Sequence, residues 1–445
     1  MMNRTEETNP RLKHYKERLE SFDDIINCGR VVQIVGLTIE SNGPITNIGD
    51  VCLIQPRSGP EIPAEVVGFR DQRVLLMPLA DLTGVGPGSL VTATGSPLSV
   101  AVDKRLLGRV LDGLGQSMDD RGQLLASRYM SIQGNIPGPL QRQRISEPLS
   151  VGVRAIDGLL TCGKGQRIGV FAGSGVGKST LLGMMARNTE ADVNVIALIG
   201  ERGREVREFL ERDLGPEGLK RSVVVVATSD QPALVRIKGA MVATTIAEYF
   251  RDLGHNVLFV MDSVTRLAMA QREVGLAIGE PPATRGYTPS VFAMLPKLLE
   301  RTGPGKVGTI TGFYTVLVEG DDLNEPVTDT VRGILDGHIV LDRALAERNH
   351  YPAIDVLASV SRLMTEVSTE EHKELAGKFR SSLAIYREAE DLINIGAYAS
   401  GSNPQIDNSI RLYPQITEFL QQGVTETAKM PDTLKKLKDI FNIES

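Results

Sequence analysis

Apolar residues follow four successive patterns along the chain. In residues 1–26, Leu12, Tyr15, Leu19, Phe22 and Ile26 recur at spacings of three and four, the period that lines one face of a helix. Such a stripe either packs on the protein's own globular body or docks on another protein, and Asn9-Pro10 with a polar start suits an exposed tail. Residues 27–97 switch to short runs rich in Val, Ile and Leu: GRVVQIVGLTIES, GDVCLIQP, AEVVGFRDQRVLLMPL and SLVTATGSPLSVAV. Gly and Pro turns break them at short intervals, which predicts a small β-barrel or sandwich. From 98 to 367, apolar strands such as RIGVFA, VNVIALIG, SVVVVAT and NVLFVMD alternate with helical stretches. Continuously apolar strands between helices predict a parallel sheet covered on both faces. Residues 368–445 have no strand pattern. STEEHKELAGKFRSSLAIYREAEDLINIGAY and YPQITEFLQQGV are helical in period and predict a small helical domain.

Composition narrows the classes. A length of 445 residues predicts two or three domains. A net charge of −6 argues against bulk binding of nucleic acid, which more often goes with a basic excess. Cys28, Cys52 and Cys162 are odd in number and form no CxxC pair, so reduced thiols in a cytosolic protein are expected. The five histidines have no ligand spacing, so no zinc site is expected. The N-terminus lacks the apolar segment of a signal peptide. The longest apolar runs, such as Val223–Ala227 and Val257–Met261, fall far short of a membrane span, so contact with a membrane would go through partners.

The candidate chemistry is concentrated in four segments. AGSGVGKST lies between the strand RIGVFA and the helical stretch STLLGMMARN. Backbone N–H groups of Gly173, Ser174, Gly175, Val176 and Gly177 would cradle phosphate, with the helix dipole behind them. Lys178 would reach the β- and γ-phosphates, the Ser179 hydroxyl would bind magnesium, and Thr180 follows in the loop-to-helix turn. Ala172 stands where the G-x-x-x-x-G-K-[ST] pattern begins with Gly, a small replacement at a turn-shaping position. NVLFVMDS is a buried strand ending in an acid, and Asp262 there would hold the magnesium shell. In IGERGREVREF, Glu201 follows an apolar strand on the same rim as the phosphate loop and could polarise an attacking water. Arg202, Arg204 and Arg207 after it could be a solvated helix face. HYPAIDVLASVSRLM reads by itself as a turn and a strand-like run, carrying Tyr351 and Arg362.

Together these segments resemble the rotary ATP synthase α/β superfamily. PAIDVLASVS is similar to its signature segment. EPLSVGVRAIDGLLTCGKGQRIGVFAGSGVGKST, GERGREVREF, DSVTRLAMAQREVG, LPKLLERTG, VEGDDLNEP and ILDGHIVLDR resemble the branch that powers flagellar and virulence type III protein export. CGKGQR and YREAEDLINIGAY are typical of that branch, and the likeness runs from about residue 29 to 420. It implies an α/β fold with a RecA-like P-loop core, an N-terminal β-barrel and a C-terminal helical domain. It implies hydrolysis of ATP with Mg2+. Glu201 then matches the glutamate that activates the lytic water, where non-catalytic synthase α subunits carry glutamine. Arg202 matches a residue supporting the γ-phosphate site, Arg362 an arginine finger completing the neighbouring subunit's site, and Tyr351 the aromatic that stacks on adenine. The family assembles as a homohexamer at the cytoplasmic face of the inner membrane. Its partners are a central stalk protein, the export gate, and export substrates or chaperones. A negative-regulator stator protein meets its N-terminal helix, and residues 1–26 fit that role by position and amphipathicity.

Three other readings are weaker. A Rho-like hexameric RNA translocase would need an aromatic platform on the barrel, and Phe69 is the one aromatic in residues 27–97. CGKGQR and the amphipathic N-terminus speak against a proton-translocating synthase subunit. Glu201 and Arg362 speak against a scaffold that binds nucleotide without hydrolysing it. Between flagellum and injectisome, LINIGAYASGSNPQID resembles the flagellar version more.

Overall fold

The structure is a computed structural model that describes residues 27–441, apart from 125, 127, 319, 321 and 323. The amphipathic segment 1–26 therefore lies outside the described residues. The described chain divides into two compact units, with the division between Leu98 and Ser99.

The first unit is a closed six-stranded antiparallel barrel. Its strands are β1 (Cys28–Val35), β2 (Thr38–Asn42), β3 (Asp50–Gln55), β4 (Ile62–Arg70), β5 (Arg73–Pro78) and β6 (Leu90–Pro97). They pair in the order β1-β2-β5-β4-β3-β6, and β1 closes on β6 through Cys28 opposite Thr92. Val31, Ile39, Cys52, Ile54, Ala64, Val66, Leu76 and Val91 fill the interior. Closure leaves no open sheet edge. Of the two all-β alternatives, the chain takes the barrel.

The second unit opens with β7 (Ser99–Val102), β8 (Val110–Asp112) and β9 (Arg128–Ser131), followed by β10 (Pro148–Leu149) and β11 (Cys162–Gly163). The core strands are β12 (Arg167–Ala172), β13 (Val193–Ile199), β14 (Ser222–Ala227), β15 (Asn256–Asp262), β16 (Gly303–Pro304), β17 (Thr309–Leu317), β18 (Gly337–Leu341) and β19 (Ile354–Ser361). The sheet runs β19-β18-β12-β17-β15-β13-β14-β8, with β16 paired to β17. All pairings from β18 to β8 are parallel, and β19 returns antiparallel along β18. Every residue of β13 and β14 is buried, as parallel strands covered on both sides require. Helix Ala233–Asp252 packs on β13, β14 and β15. Each apolar side chain it takes out of water contributes about 1.5–3 kcal/mol.

Three helices follow, Glu370–Asn394, Pro404–Leu420 and Met430–Phe441, the first two capped by Thr369 and Asn403. Phe379 and Phe419 meet at 5.3 Å between ring centroids, and buried His372 shares a hydrogen bond of 2.7 Å with the Gly158 carbonyl. This helical bundle shares its apolar core with the sheet unit. All three cysteines are unpaired. No described helix is long and apolar enough to cross a membrane.

Candidate active site

Topology brings three strand ends to one rim. β12 and β15 flank β17, and β13 lies next to β15, all parallel. The loop after β12, the acid ending β15 and the turn after β13 therefore converge. The loop Gly173–Gly177 leads into helix Lys178–Asn188. Gly177 takes φ +89 at its start and no side chain caps the helix, so its first N–H groups stay available to an anion. A side chain at Gly177 would meet the Tyr351 ring at 3.4 Å, so Tyr351 stands against the loop although 173 residues separate the two motifs' lysine and tyrosine, 351 − 178. Tyr351 is 40% exposed, which leaves ring surface for a planar ligand.

Beyond the loop is a cleft of about 500 Å3 lined by Gly173, Ser174, Gly175, Gly177, Lys178, Ser179 and Thr180, with Glu201, Glu205, Arg266 and Arg343 facing them. Lys178 Nζ donates to Asp262 Oδ1 at 2.5 Å and lies 3.8 Å from Glu201 Oε1. Asp262 is 3% exposed and also accepts from Thr315 Oγ1 at 2.7 Å. Arg266 Nε donates to Glu201 Oε1 at 3.2 Å. Burial first, and the Asp262 carboxylate second, push the Glu201 carboxyl up to about 7, against the pull of Lys178. Its weak acidity near neutrality suits a group that exchanges a proton. Among the described residues no cluster of three or more His, Cys, Asp or Glu could hold a metal. A cation here would have few protein ligands.

The element after Glu201 is tied to the phosphate-loop helix. Helix Gly203–Glu208 runs into a π-helical turn, Phe209–Leu214, a form often found near functional sites. Buried Asp213 accepts from Thr180 Oγ1 at 3.4 Å. At Gly183 a Cβ would come within 2.5 Å of the Asp213 carbonyl, so only glycine permits this approach. Arg204 and Arg207 are solvent-facing and pair with Glu208 and Glu211.

Val176, Asp262 and Tyr351 stand next to the cleft lining, and Arg202 and Arg362 stand apart from it. Arg202 is 77% exposed and lies 4.0 Å from Glu205. Arg362 is at the opposite rim, because β19 runs antiparallel to β18 and ends there, with Ser361 opposite Gly337. It borders a second cleft of about 490 Å3 with Arg142, Arg144, Arg167, Glu300 and Asp336. Its guanidinium makes no hydrogen bond or ion pair among the described residues. Arg266, Glu205, Thr315 and Arg343 line or support the first cleft without having been singled out in the sequence. Arg266 had a usable signal, four residues after Asp262 at the start of a helix that rises from the same rim.

The fold and this cleft define a P-loop ATPase with a RecA-like core. Sequence models of three domains match the chain: the nucleotide-binding domain of the ATP synthase alpha/beta family over residues 152–361, the beta-barrel domain of that family over 31–95, and the T3SS EscN ATPase C-terminal domain over 368–439. A flagellum-specific ATP synthase of Bacillus subtilis is 59% identical, over 96% of this chain and 98% of its own. A type 3 secretion system ATPase of Xanthomonas euvesicatoria is 51% identical, over 93% of each. The solved structure of assembled ATPase EscN in complex with its central stalk EscO, from the enteropathogenic E. coli type III secretion system, superposes with a TM-score of 0.86 at 47% identity. It covers 93% of this chain and 99% of EscN. The chain belongs to the ATP synthase alpha/beta family, in its branch of flagellum-specific and type 3 secretion ATPases.

Proposed function

We propose that this chain is the Mg-ATP-hydrolysing motor of a flagellar protein-export apparatus, working as a homohexameric ring with active sites between subunits. The observation that carries the catalytic part is a buried Glu201 in one cleft with Lys178, whose ammonium also pairs with the buried Asp262. Glu201 takes a proton from water as its oxygen attacks the γ-phosphorus and the bond to the β–γ bridging oxygen breaks. Lys178 and the loop N–H groups offset the charge that grows on the phosphate oxygens. Tyr351 stacks on the adenine. The residues suit magnesium: Asp262 is a buried carboxylate already facing a cation, Ser179 lines the same cleft, and hard divalent ions keep few protein ligands beside phosphates. Magnesium, when bound, neutralises charge on the β- and γ-phosphates. Arg202 supports the γ-phosphate in the loaded, assembled state; the family likeness supports this role, and here the side chain is exposed, 4.0 Å from Glu205.

Arg362 acts as the finger of the neighbouring subunit. Its place on the far rim from its own Lys178 supports this. The likeness to assembled EscN and its stalk supports a ring around a central stalk protein. Further partners on this reading are the export gate and export substrates or chaperones. A stator protein would bind at residues 1–26, and the whole would sit at the cytoplasmic face of the inner membrane. The flagellar reading is supported by the flagellum-specific relative at 59% identity. Injectisome service is the second reading, supported by the EscN likeness.

Two experiments test this. ATPase activity per subunit should rise with protein concentration, since a shared site needs a neighbour. A constant specific activity down to monomer would sink the interface site. Deleting the gene should abolish flagellar filaments. Intact filaments with loss of another secreted set would move the protein to an injectisome.

A further inference from the structure

The CGKGQR segment turns from β11 into β12, and its glutamine faces the far rim. Gln166 is completely buried. Its Oε1 accepts from Gly163 N at 2.8 Å, closing the CGKGQR turn on itself. Its Nε2 donates to the Asp336 carbonyl at 3.0 Å and to Ser361 Oγ at 3.1 Å. One acceptor and two donor contacts fix the orientation of the amide. The same Asp336 carbonyl accepts from Arg362 N at 3.0 Å. Ser361 Oγ passes its own proton to the Thr161 carbonyl at 2.8 Å. One side chain thus holds both the carbonyl that accepts from the Arg362 N–H and the side chain of the residue before it. The fit has no slack, since a Cβ at Gly337 would come within 2.6 Å of the Val360 carbonyl and 3.1 Å of Ser361 Cα.

We propose that Gln166 is a positioning residue for Arg362, setting where the guanidinium emerges from the far rim and hence how it reaches the next subunit's phosphate site. This rests on the reading of Arg362 as a finger acting between subunits. The bland alternative is that Gln166 merely steadies β12, which begins at the next residue and leads into the phosphate loop. The two differ in which active site they damage. A loosened finger spoils the neighbour's site, while a loosened β12 spoils the subunit's own.

The test is complementation in mixed rings, with mixing verified by native mass spectrometry. Gln166→Ala should lower kcat on the order of a hundredfold, the effect of a misplacement of about 1 Å, while nucleotide affinity changes less than about twofold. Mixed with Lys178→Ala subunits, which keep an intact finger, it should regain activity. Mixed with Arg362→Ala subunits it should regain none. Ser361→Ala, which removes the hydroxyl and with it the bonds to Gln166 and to the Thr161 carbonyl but leaves the Gln166 bond to Asp336, should show the same pattern with a drop of about tenfold in kcat, and it decides the matter if Gln166→Ala does not fold. Weakened nucleotide binding, or no rescue by Lys178→Ala, would assign Gln166 to its own phosphate loop and overturn the inference. Arg362→Ala mixed with Lys178→Ala is the control. If that pair recovers nothing, the finger reading fails and this inference with it. If that pair recovers and the Gln166→Ala pair does not, only this inference fails.

Discussion

At the rim where β12, β13 and β15 end, Lys178 and Glu201 line a cleft of about 500 Å3, and Lys178 pairs there with both Glu201 and the buried Asp262. At the opposite rim, Arg362 is exposed and unpaired among the described residues, beside Arg142, Arg144 and Arg167. Arg142 and Arg167 are held by Glu300 and Asp336, and Arg144 by Glu366. The first rim has its charges matched before any ligand arrives. The second keeps one cation unspent. Phosphoryl transfer needs extra positive charge late, as bonds break, and needs it less for binding. On the reading proposed here, the two rims are halves of one reaction held on different copies of the chain.

The largest effect should come from removing the unspent cation. Arg362→Ala is expected to lower turnover roughly a thousandfold or more with little change in affinity for ATP, read by steady-state kinetics beside a fluorescent-nucleotide titration. A large loss of affinity would move Arg362 into its own cleft and dissolve the contrast between rims. Lys178→Ala should cost several hundredfold, on the order expected for a lost transition-state donor, and should weaken binding as well. Near-normal hydrolysis would mean that the chemistry lies elsewhere.

Glu201→Gln should keep nucleotide binding and lose about a hundredfold or more in turnover. The pH profile sharpens this. The carboxyl is raised to about 7, and the ionised form is the base, so turnover of the parent enzyme should fall as pH drops through neutrality. Bound cations would move that midpoint downward. A flat profile from pH 8 to 6, measured with magnesium saturating, would speak against Glu201 as base. The smallest effect belongs to Tyr351→Ala. Loss of one stacked base is worth about 1–3 kcal/mol, so KM for ATP should rise about tenfold with kcat nearly kept. An equal rise for inorganic triphosphate, which has no base to stack, would contradict that role.

What could be read from the sequence was local. The phosphate loop is contiguous, and Asp262 and Glu201 each follow an apolar run that can only be a buried strand. Barrel against sandwich was open because closure depends on Cys28 meeting Thr92, a pairing set by the whole unit. Thr315 was invisible because its bond to Asp262 depends on the register that places Met261 opposite Tyr314. Tyr351 was reached through resemblance alone, since nothing near it in the chain shows that it stands at Gly177. Gln166 was not singled out, because its partners Asp336 and Ser361 lie 170 and 195 residues further along the chain.

The contact at Gly183 has a kinematic consequence. With no room for even one methyl group between helix Lys178–Asn188 and the π-turn, those two limbs cannot slide or hinge against each other. That contact ties the helix that Lys178 opens to the element that follows Glu201. In hydrogen exchange, the amides of both limbs should open together as one unit, and nucleotide should slow them in concert.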